Sequence, residues 1–323
     1  MSRCAVVRFL ATCLLVACGG GAQEASDLDI AGLCAKTAQC PGTDFALSLT
    51  RCHDRALAAE RKRDRTVETS QTSDLVDLAW LDCITAANGD CAEVEECIRP
   101  SRVSEDVCDG EDGFHERCDR NVAVSCWASG RQAYRDCRAA GLVCDFDGGE
   151  ATCVHADDCV EDTCDGDVLV RCLGGVSTRS DCRGMTTVGC SGACKTRVFE
   201  TCGERDGAPA CVAAGETCDE DTFTDACDGD AIATCSRGNV GRRDCASERE
   251  GVTCKQDDNP GLLFCGVDAP ECEFGDAESC TDGVISYCVD ATLQAFDCAT
   301  IGASACETRT EDFDVSYEVC TSG

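Results

Sequence analysis

The chain has few of the side chains from which ordinary cores are built. Aromatic residues are 5% of its 323 residues, with two tryptophans and three tyrosines, so burial of large apolar groups does not hold it together over most of its length. Three histidines occur, His53, His115 and His155, and no two share a local motif. His53, in "RCHDR", is expected as a solvated helix residue; His115 and His155 lie in acidic loops, and none has a spaced nucleophile partner. The longest apolar run, "FLATCLLVA" at 9–17, falls short of the roughly 20 residues of a membrane-spanning helix. A nucleophile elbow, phosphate loop, dinucleotide fingerprint, H-E-x-x-H and a thioredoxin-like C-x-x-C are all missing, so a non-catalytic protein is expected. Basic residues are also scarce, 28 Lys and Arg against 61 Asp and Glu for a net charge of −33. That balance makes nucleic acid and other anionic polymers poor partners.

Cysteine is what the chain has instead, 35 of them. Such a density reads as a disulfide scaffold made in an oxidising compartment. The N-terminus is in keeping, with Arg3 and Arg8 ahead of the apolar run and "LVAC" at 15–18 closing it. Leu15-Val16-Ala17-Cys18 resembles the lipobox of bacterial lipoproteins, which implies a signal peptide over 1–17 and a diacylated Cys18 as the new N-terminus. Gly19, where an aspartate would mean inner-membrane retention, implies the outer membrane. Residues 18–27 then form the lipidated cysteine and a flexible tether. Losing Cys4 and Cys13 with the signal, and Cys18 to lipid, leaves 32 cysteines, an even number able to pair completely.

The mature chain divides by pattern near residue 107. Over 28–107 the periodicity is helical: Phe45, Leu49, Cys52 and Ala56 follow a candidate cap at Thr43, and Val76, Ala79 or Trp80, Cys83 and Ala87 follow Ser73. Shorter helical pieces surround "LCAKTAQC" and "DCAEVEEC", giving a bundle of four helices. Its cysteines, 34, 40, 52, 83, 91 and 97, are arranged in mirror order. Two central antiparallel helices joined through the polar loop "RTVETSQTSD" would bring Cys52 to Cys83, although sequence leaves other connectivities open.

From 108 onward the sequence repeats in four units, 108–158, 159–217, 218–271 and 272–323. Each has six cysteines, here a to f: 108, 118, 126, 137, 144 and 153 in unit 1; 218, 227, 235, 245, 254 and 265 in unit 3; 272, 280, 288, 298, 306 and 320 in unit 4. Unit 2 carries eight, which fit if a to f are 159, 164, 172, 182, 190 and 211, with Cys194–Cys202 as an extra pair. Seven residues separate b from c in every unit, a turn signal followed by an apolar run such as "VLVRC" or "AIATC". A second run ends in Asp and cysteine d, and a third strand is expected just before f. The fold class is therefore small and disulfide-rich: an α-helical bundle, then four short β-hairpin or three-stranded cystine-stapled units. With the turn at Gly174 and Gly175, Cys172 falls opposite about 177 and Cys182 opposite about 167, near Cys164. This register suggests b with d, that is Cys118–Cys137, Cys164–Cys182, Cys227–Cys245 and Cys280–Cys298, with c–f across to the third strand and a–e by elimination. A unit of about 50 residues cannot fold on burial alone, and each closed loop contributes on the order of 3 kcal/mol.

Three local features invite chemistry. "CSGAC" at 190–194 would suit zinc in a reducing compartment, but export favours disulfides. The acidic run "DEDTFTDACDGD" at 219–230 offers oxygens for Ca²⁺ without fitting an EF-hand loop, and solvation explains the same charges. No cofactor is therefore expected, with Ca²⁺ the weaker alternative. One basic run, "ERKRDR" at 60–65, contrasts with the rest; it reads as a solvated helix end, with contact to lipid headgroups or lipopolysaccharide as the sharper alternative.

The lipobox, the helical six-cysteine segment and the D-G-x4-C units together resemble the cysteine-rich lipoproteins that myxobacteria and related predatory bacteria make in large numbers. The excess of Arg over Lys, 24 to 4, is in keeping. The resemblance implies a location and a fold type but no activity. The expected function is that of a lipid-anchored outer-membrane protein, on its periplasmic or cell-surface face, serving as a structural spacer or as a recognition surface for a protein or glycan. The alternative is an antagonist such as a protease inhibitor, with "LGGVST" or "SRGNVGR" as its hairpin tip.

Overall fold

The structure is a computed structural model that describes residues 24–40, 48–104, 106–109, 113–127, 132–191, 193–247, 251–256, 262–272, 277–310 and 316–322. The signal peptide, Cys18, Thr43 and Phe45 lie outside the described residues. The chain is a small disulfide-rich protein, with helices in its N-terminal region followed by short antiparallel strands.

Among the described residues five helices form the first segment: α1 (Glu24–Ala38), α2 (Leu49–Arg61), α3 (Arg63–Thr69), α4 (Thr72–Ala87) and α5 (Cys91–Ile98). Of the predicted stripes, Leu49, Cys52 and Ala56 on α2 and Val76, Trp80 and Ala87 on α4 are buried, whereas Ala79 and Cys83 are half-buried. The caps differ from expectation. Ser48 caps α2, its side chain accepting from Arg51 N–H, and α4 starts behind Gln71, which puts Ser73 inside the first turn. The segment expected as a polar loop is partly helical, since α3 continues almost directly from α2 and ends at Ser70 in the left-handed conformation, φ 53°.

The bundle's disulfides are Cys34–Cys52, Cys40–Cys91 and Cys83–Cys97, so the expected Cys52–Cys83 bond does not form. Cys52 faces α1 and Cys83 faces α5, because α2 and α4 are separated by the apolar contacts of Leu49, Leu81 and Ile84 instead of a covalent link. Cys40–Cys91 does join the end of the first helical stretch to the start of the last helix.

Unit 1 contains β1 (His115–Asp119), β2 (Val122–Cys126), β3 (Gln132–Asp136), β4 (Val143–Asp147) and β5 (Glu150–Val154). Unit 2 contains β6 (Thr163–Asp165), β7 (Val168–Leu173), β8 (Val176–Asp181), β9 (Thr186–Ser191), β10 (Ala193–Val198), β11 (Thr201–Arg205) and β12 (Ala208–Val212). Unit 3 contains β13 (Ala226–Asp228), β14 (Ala231–Ser236), β15 (Asn239–Asp244), β16 (Val252–Gln256) and β17 (Leu263–Val267). Unit 4 contains β18 (Ser279–Thr281), β19 (Val284–Val289), β20 (Thr292–Asp297), β21 (Ala305–Thr310) and β22 (Ser316–Thr321), with a 3-10 turn at Cys298–Ile301. Every unit is a three-stranded meander followed by a two-stranded hairpin, and unit 2 inserts the hairpin β9–β10 between them.

Two-residue turns join the first two strands of each meander: Arg120–Asn121 and Asp282–Gly283, with positive φ at both residues, and Gly166–Asp167 and Gly229–Asp230, with positive φ at the glycine. The repeated Asp-Gly signal supplies the left-handed residue that such turns need. The Asp before cysteine d also has one role throughout. Asp136, Asp181, Asp244 and Asp297 each accept from a backbone N–H two or three residues on, at 2.9–3.1 Å, and so end the third strand in a tight turn.

The predicted hairpin register is observed, with Cys172 opposite Ser177 and Cys182 N–H donating to Asp167 O at 3.0 Å. The predicted b–d pairing is not. Cysteine b stands on its own strand, paired to the far side of the central strand, so b and d flank that strand at about twice the ~4.8 Å interstrand spacing, beyond disulfide reach. The bonds are a–c, b–e and d–f: Cys108–Cys126, Cys118–Cys144 and Cys137–Cys153 in unit 1; Cys218–Cys235, Cys227–Cys254 and Cys245–Cys265 in unit 3; Cys272–Cys288, Cys280–Cys306 and Cys298–Cys320 in unit 4. In unit 2 they are Cys159–Cys172, Cys164–Cys202 and Cys182–Cys211, which makes Cys202 the e position and excludes Cys194–Cys202. The Cys190 and Cys194 backbones stand opposite each other in the inserted hairpin, and their side chains lie outside the described residues.

Cysteines e and f face each other in the second hairpin, as Cys254 and Cys265 do, yet each bonds to the meander instead of to its neighbour. Two adjacent bonds thereby clamp one small sheet onto another.

The array does not extend away from the bundle. Val76 of α4 packs with Ala123, Leu142 and Ala151 of unit 1. The α3–α4 turn meets unit 2, where Ser70 O contacts His155 Nε2 from the end of unit 1 at 2.9 Å and Thr72 Oγ1 accepts from Arg179 N–H at 2.9 Å. Unit 3 is carried by unit 2: Val198 of β10 joins the Ile232, Val252 and Leu263 cluster, and Gly241 is needed because a Cβ there would sit 2.2 Å from Val198 O. Unit 4 returns to the helices. Ile285, Tyr287, Val289 and Phe296 share one core with Leu49, Ala56, Leu81 and Ile84. Glu278 accepts from Thr50 N–H and Oγ1 in the first turn of α2 and, through its other oxygen, from Glu318 N–H at 2.7 Å. A carboxylate at a helix N-terminus is favoured by the helix dipole. Ile285→Ala is expected to cost about 2–4 kcal/mol and to speed amide exchange in β19 and α2 while leaving unit 3 protected. Equal exchange changes in all units would contradict this division of the core.

Candidate functional site

The residues singled out by sequence have structural roles. His53 is buried on α2, with Nδ1 3.0 Å from the Tyr287 hydroxyl of unit 4. It is therefore not the solvated helix histidine expected, because docking of unit 4 covers that face. His155 belongs to the unit 2 seam, and His115 Nδ1 lies 3.4 Å from Gly113 O. The acidic run 219–230 is turned toward its own unit: Asp219 accepts from Asp221 N–H, Asp225 from Cys235 N–H at 2.9 Å, and Asp228 pairs with Arg242. Among the described residues no three His, Cys, Asp or Glu side chains gather as metal ligands.

The two hairpin tips weighed as inhibitory loops are short. Residues 173–178 turn through Gly174 and Gly175 and leave Leu173 exposed. Residues 236–242 turn through Arg237 and Gly238, and Gly238 O accepts from Cys218 N–H, so this tip is folded against its own unit.

Closure of the array around the helices leaves clefts at its seams. A groove of about 930 Å³ runs between α1, α4 and β20, lined by Ile30, Leu33, Arg63, Asp82 and Phe296 among others. A cavity of about 570 Å³ opens where the helices, unit 2 and unit 3 converge. Its wall contains Arg61, Lys62 and Arg65 from the "ERKRDR" run, Arg183 after β8, and Arg242 and Arg243 of β15, with Asp244 as the one carboxylate among the described lining residues. The arginines of unit 3 are the "RRDC" ahead of its cysteine d. Sequence marked the first run as basic but gave no sign that it meets these arginines.

Most of the cations are ion-paired. Arg65 and Arg183 both bind the Asp181 carboxylate, whose side chain is fully buried. Burial raises the Asp181 carboxyl, but the hydrogen bonds from Arg65 and Arg183 outweigh it and keep it below the usual carboxylate range. Arg183 also reaches Glu68 at 3.3 Å, Lys62 reaches Asp74 at 3.3 Å, Arg61 pairs with Asp290, and Arg242 with Asp228. Arg243 donates to Thr186 Oγ1 at 2.7 Å.

No protein-family model, no curated protein and no solved structure matches the chain.

Two ionisable groups at the seam between α2 and unit 4 are held away from their ordinary values. Desolvation, then the neighbouring Asp290 carboxylate, push Asp54 up to about 6, with Arg51 and Arg61 only partly offsetting them. Burial likewise raises the Tyr287 phenol beyond its ordinary value. A carboxyl whose folded pKa is raised binds its proton more tightly in the folded state, so stability falls as pH rises from about 4 to about 6. Asp54→Asn should flatten that slope and stabilise the protein at neutral pH by about 1–2 kcal/mol after allowance for solvent screening. Denaturant titrations of both proteins at pH 4 and pH 7 check the sign.

Proposed function

We propose that this is a lipid-anchored, non-catalytic protein of the cell envelope whose closed array presents a recognition surface to a protein or glycan. Fifteen disulfides among the described cysteines require folding in an oxidising, extracytoplasmic compartment. No described helix is long and apolar enough to cross a membrane, and the lipobox resemblance at Cys18 would supply attachment in place of a span. The observation that favours recognition over a spacer is the return of unit 4 to α2. A spacer gains length by stacking each unit only on its neighbours, whereas here units 1, 2 and 4 all meet one helical bundle and the seams between them become clefts. Ligand sites favour such junctions, where rigid walls converge from separate elements.

Mass spectrometry of the membrane fraction should find two acyl chains on Cys18 and no free thiols, and Cys18→Ser should release the protein to the soluble fraction. Unmodified Cys18 in a membrane-free protein, or many free thiols, would defeat the reading.

A further inference from the structure

The cavity between α2–α3, unit 2 and unit 3 is lined by side chains unlike those that dominate the rest of the molecule. The chain carries −33 overall, yet six of its 28 basic side chains line this one concavity. Asp181, Glu68, Asp74, Asp228, Glu216 and Asp290, which pair with these cations, are not part of the wall. Asp181, fully buried, fixes Arg65 and Arg183 from within the protein, whereas Glu68, Asp228 and Glu216 are solvent-exposed partners whose pairing is weakened by screening. Arg65 spends Nε on Asp181 and Nη2 on Arg183 O, and Arg183 spends Nε and Nη2 on Asp181 and Glu68. Each keeps Nη1 without an acceptor among the described residues. Anchoring of this kind fixes a guanidinium before a ligand arrives and reduces the ordering cost of binding.

Five of the six cations are arginines, whose planar forks match the oxygens of phosphate. The surrounding acidity limits the size of the ligand. An anionic polymer would have to cross a repulsive surface, whereas a compact anion inside the open cleft meets mainly the cationic side chains that line it. About 570 Å³ is room for one phosphorylated sugar or one lipid headgroup. We propose that this cavity binds a phosphate-bearing small anion through Arg61, Lys62, Arg65, Arg183, Arg242 and Arg243. The proposal rests on the recognition reading and gives it a ligand class.

The test is calorimetric titration of the full, oxidised chain with pyrophosphate and with glucose 1-phosphate at low ionic strength, where surface screening is weakest. Saturable one-site binding is expected, at least about tenfold weaker in Lys62→Gln/Arg242→Gln and unchanged in Arg171→Gln, an exposed cation outside the wall. Thermal melts verify that the double variant is folded; should it not be, Arg61→Gln is the substitute. Flotation with phosphatidylcholine vesicles, with and without phosphatidic acid, separates the sources. Binding to the phosphatidic acid vesicles that pyrophosphate displaces identifies a lipid headgroup, and soluble binding without flotation identifies a free phosphate ester. Absence of saturable binding by the native chain, full binding by the folded variant, or an equal loss in Arg171→Gln would overturn the proposal. An acylated Cys18 together with capture of an uncharged glycan or a protein would, in that event, leave the recognition reading intact.

Discussion

The structure depends on a pair of parallel covalent clamps. In each unit the second hairpin presents two cysteines side by side, and both bond across to the three-stranded meander. One bond would leave the hairpin free to swivel; two fix its orientation as well as its position. Neither small sheet has apolar area enough to stay folded by itself, and the clamps replace the burial that the composition cannot provide. The third bond, from a to c, ties the incoming chain to the central strand.

Because each unit is internally rigid, the apolar residues that remain are available for contacts between parts. The largest shared core is not inside a unit. It lies between α1, α2, α4 and the meander of unit 4, where Leu49, Ile84 and Ile285 are almost wholly buried. Unit 2 docks more through polar contacts, among them the Asp181 carboxylate shared by Arg65 and Arg183. Unit 3 hangs on the hairpin that distinguishes unit 2 from the others, through Thr196, Val198 and the side-chain-free Gly241. The inserted hairpin thus has a packing role that accounts for its presence in that unit alone.

The same closure shapes the electrostatics. A chain so acidic would spread its few cations thinly if it were an extended array. Folding back brings the basic end of α2 and α3 against the arginines that precede cysteine d in unit 3 and follow it in unit 2. A cationic concavity then appears on an acidic molecule, walled by three elements that are distant in sequence. Among its carboxylate partners Asp181 is fully buried and fixes Arg65 and Arg183 in place.

Sequence by itself determined the units, their turns and the compartment. Even cysteine counts, the seven-residue b–c interval and the Asp-Gly signals are local, and local chemistry decides two-residue turns and strand register, so Cys172 opposite Ser177 was legible. Disulfide partners were not, because they depend on which side of the central strand b occupies and on how the second hairpin lies over the meander. Both are tertiary facts, and they moved Cys164 from Cys182 to Cys202 and Cys52 from Cys83 to Cys34. The burial of His53 and the gathering of six cations around one cavity belong to the same class. They follow from contacts between residues a hundred or more positions apart, such as Arg65 with Asp181 and His53 with Tyr287, and no periodicity or spacing along the chain encodes those.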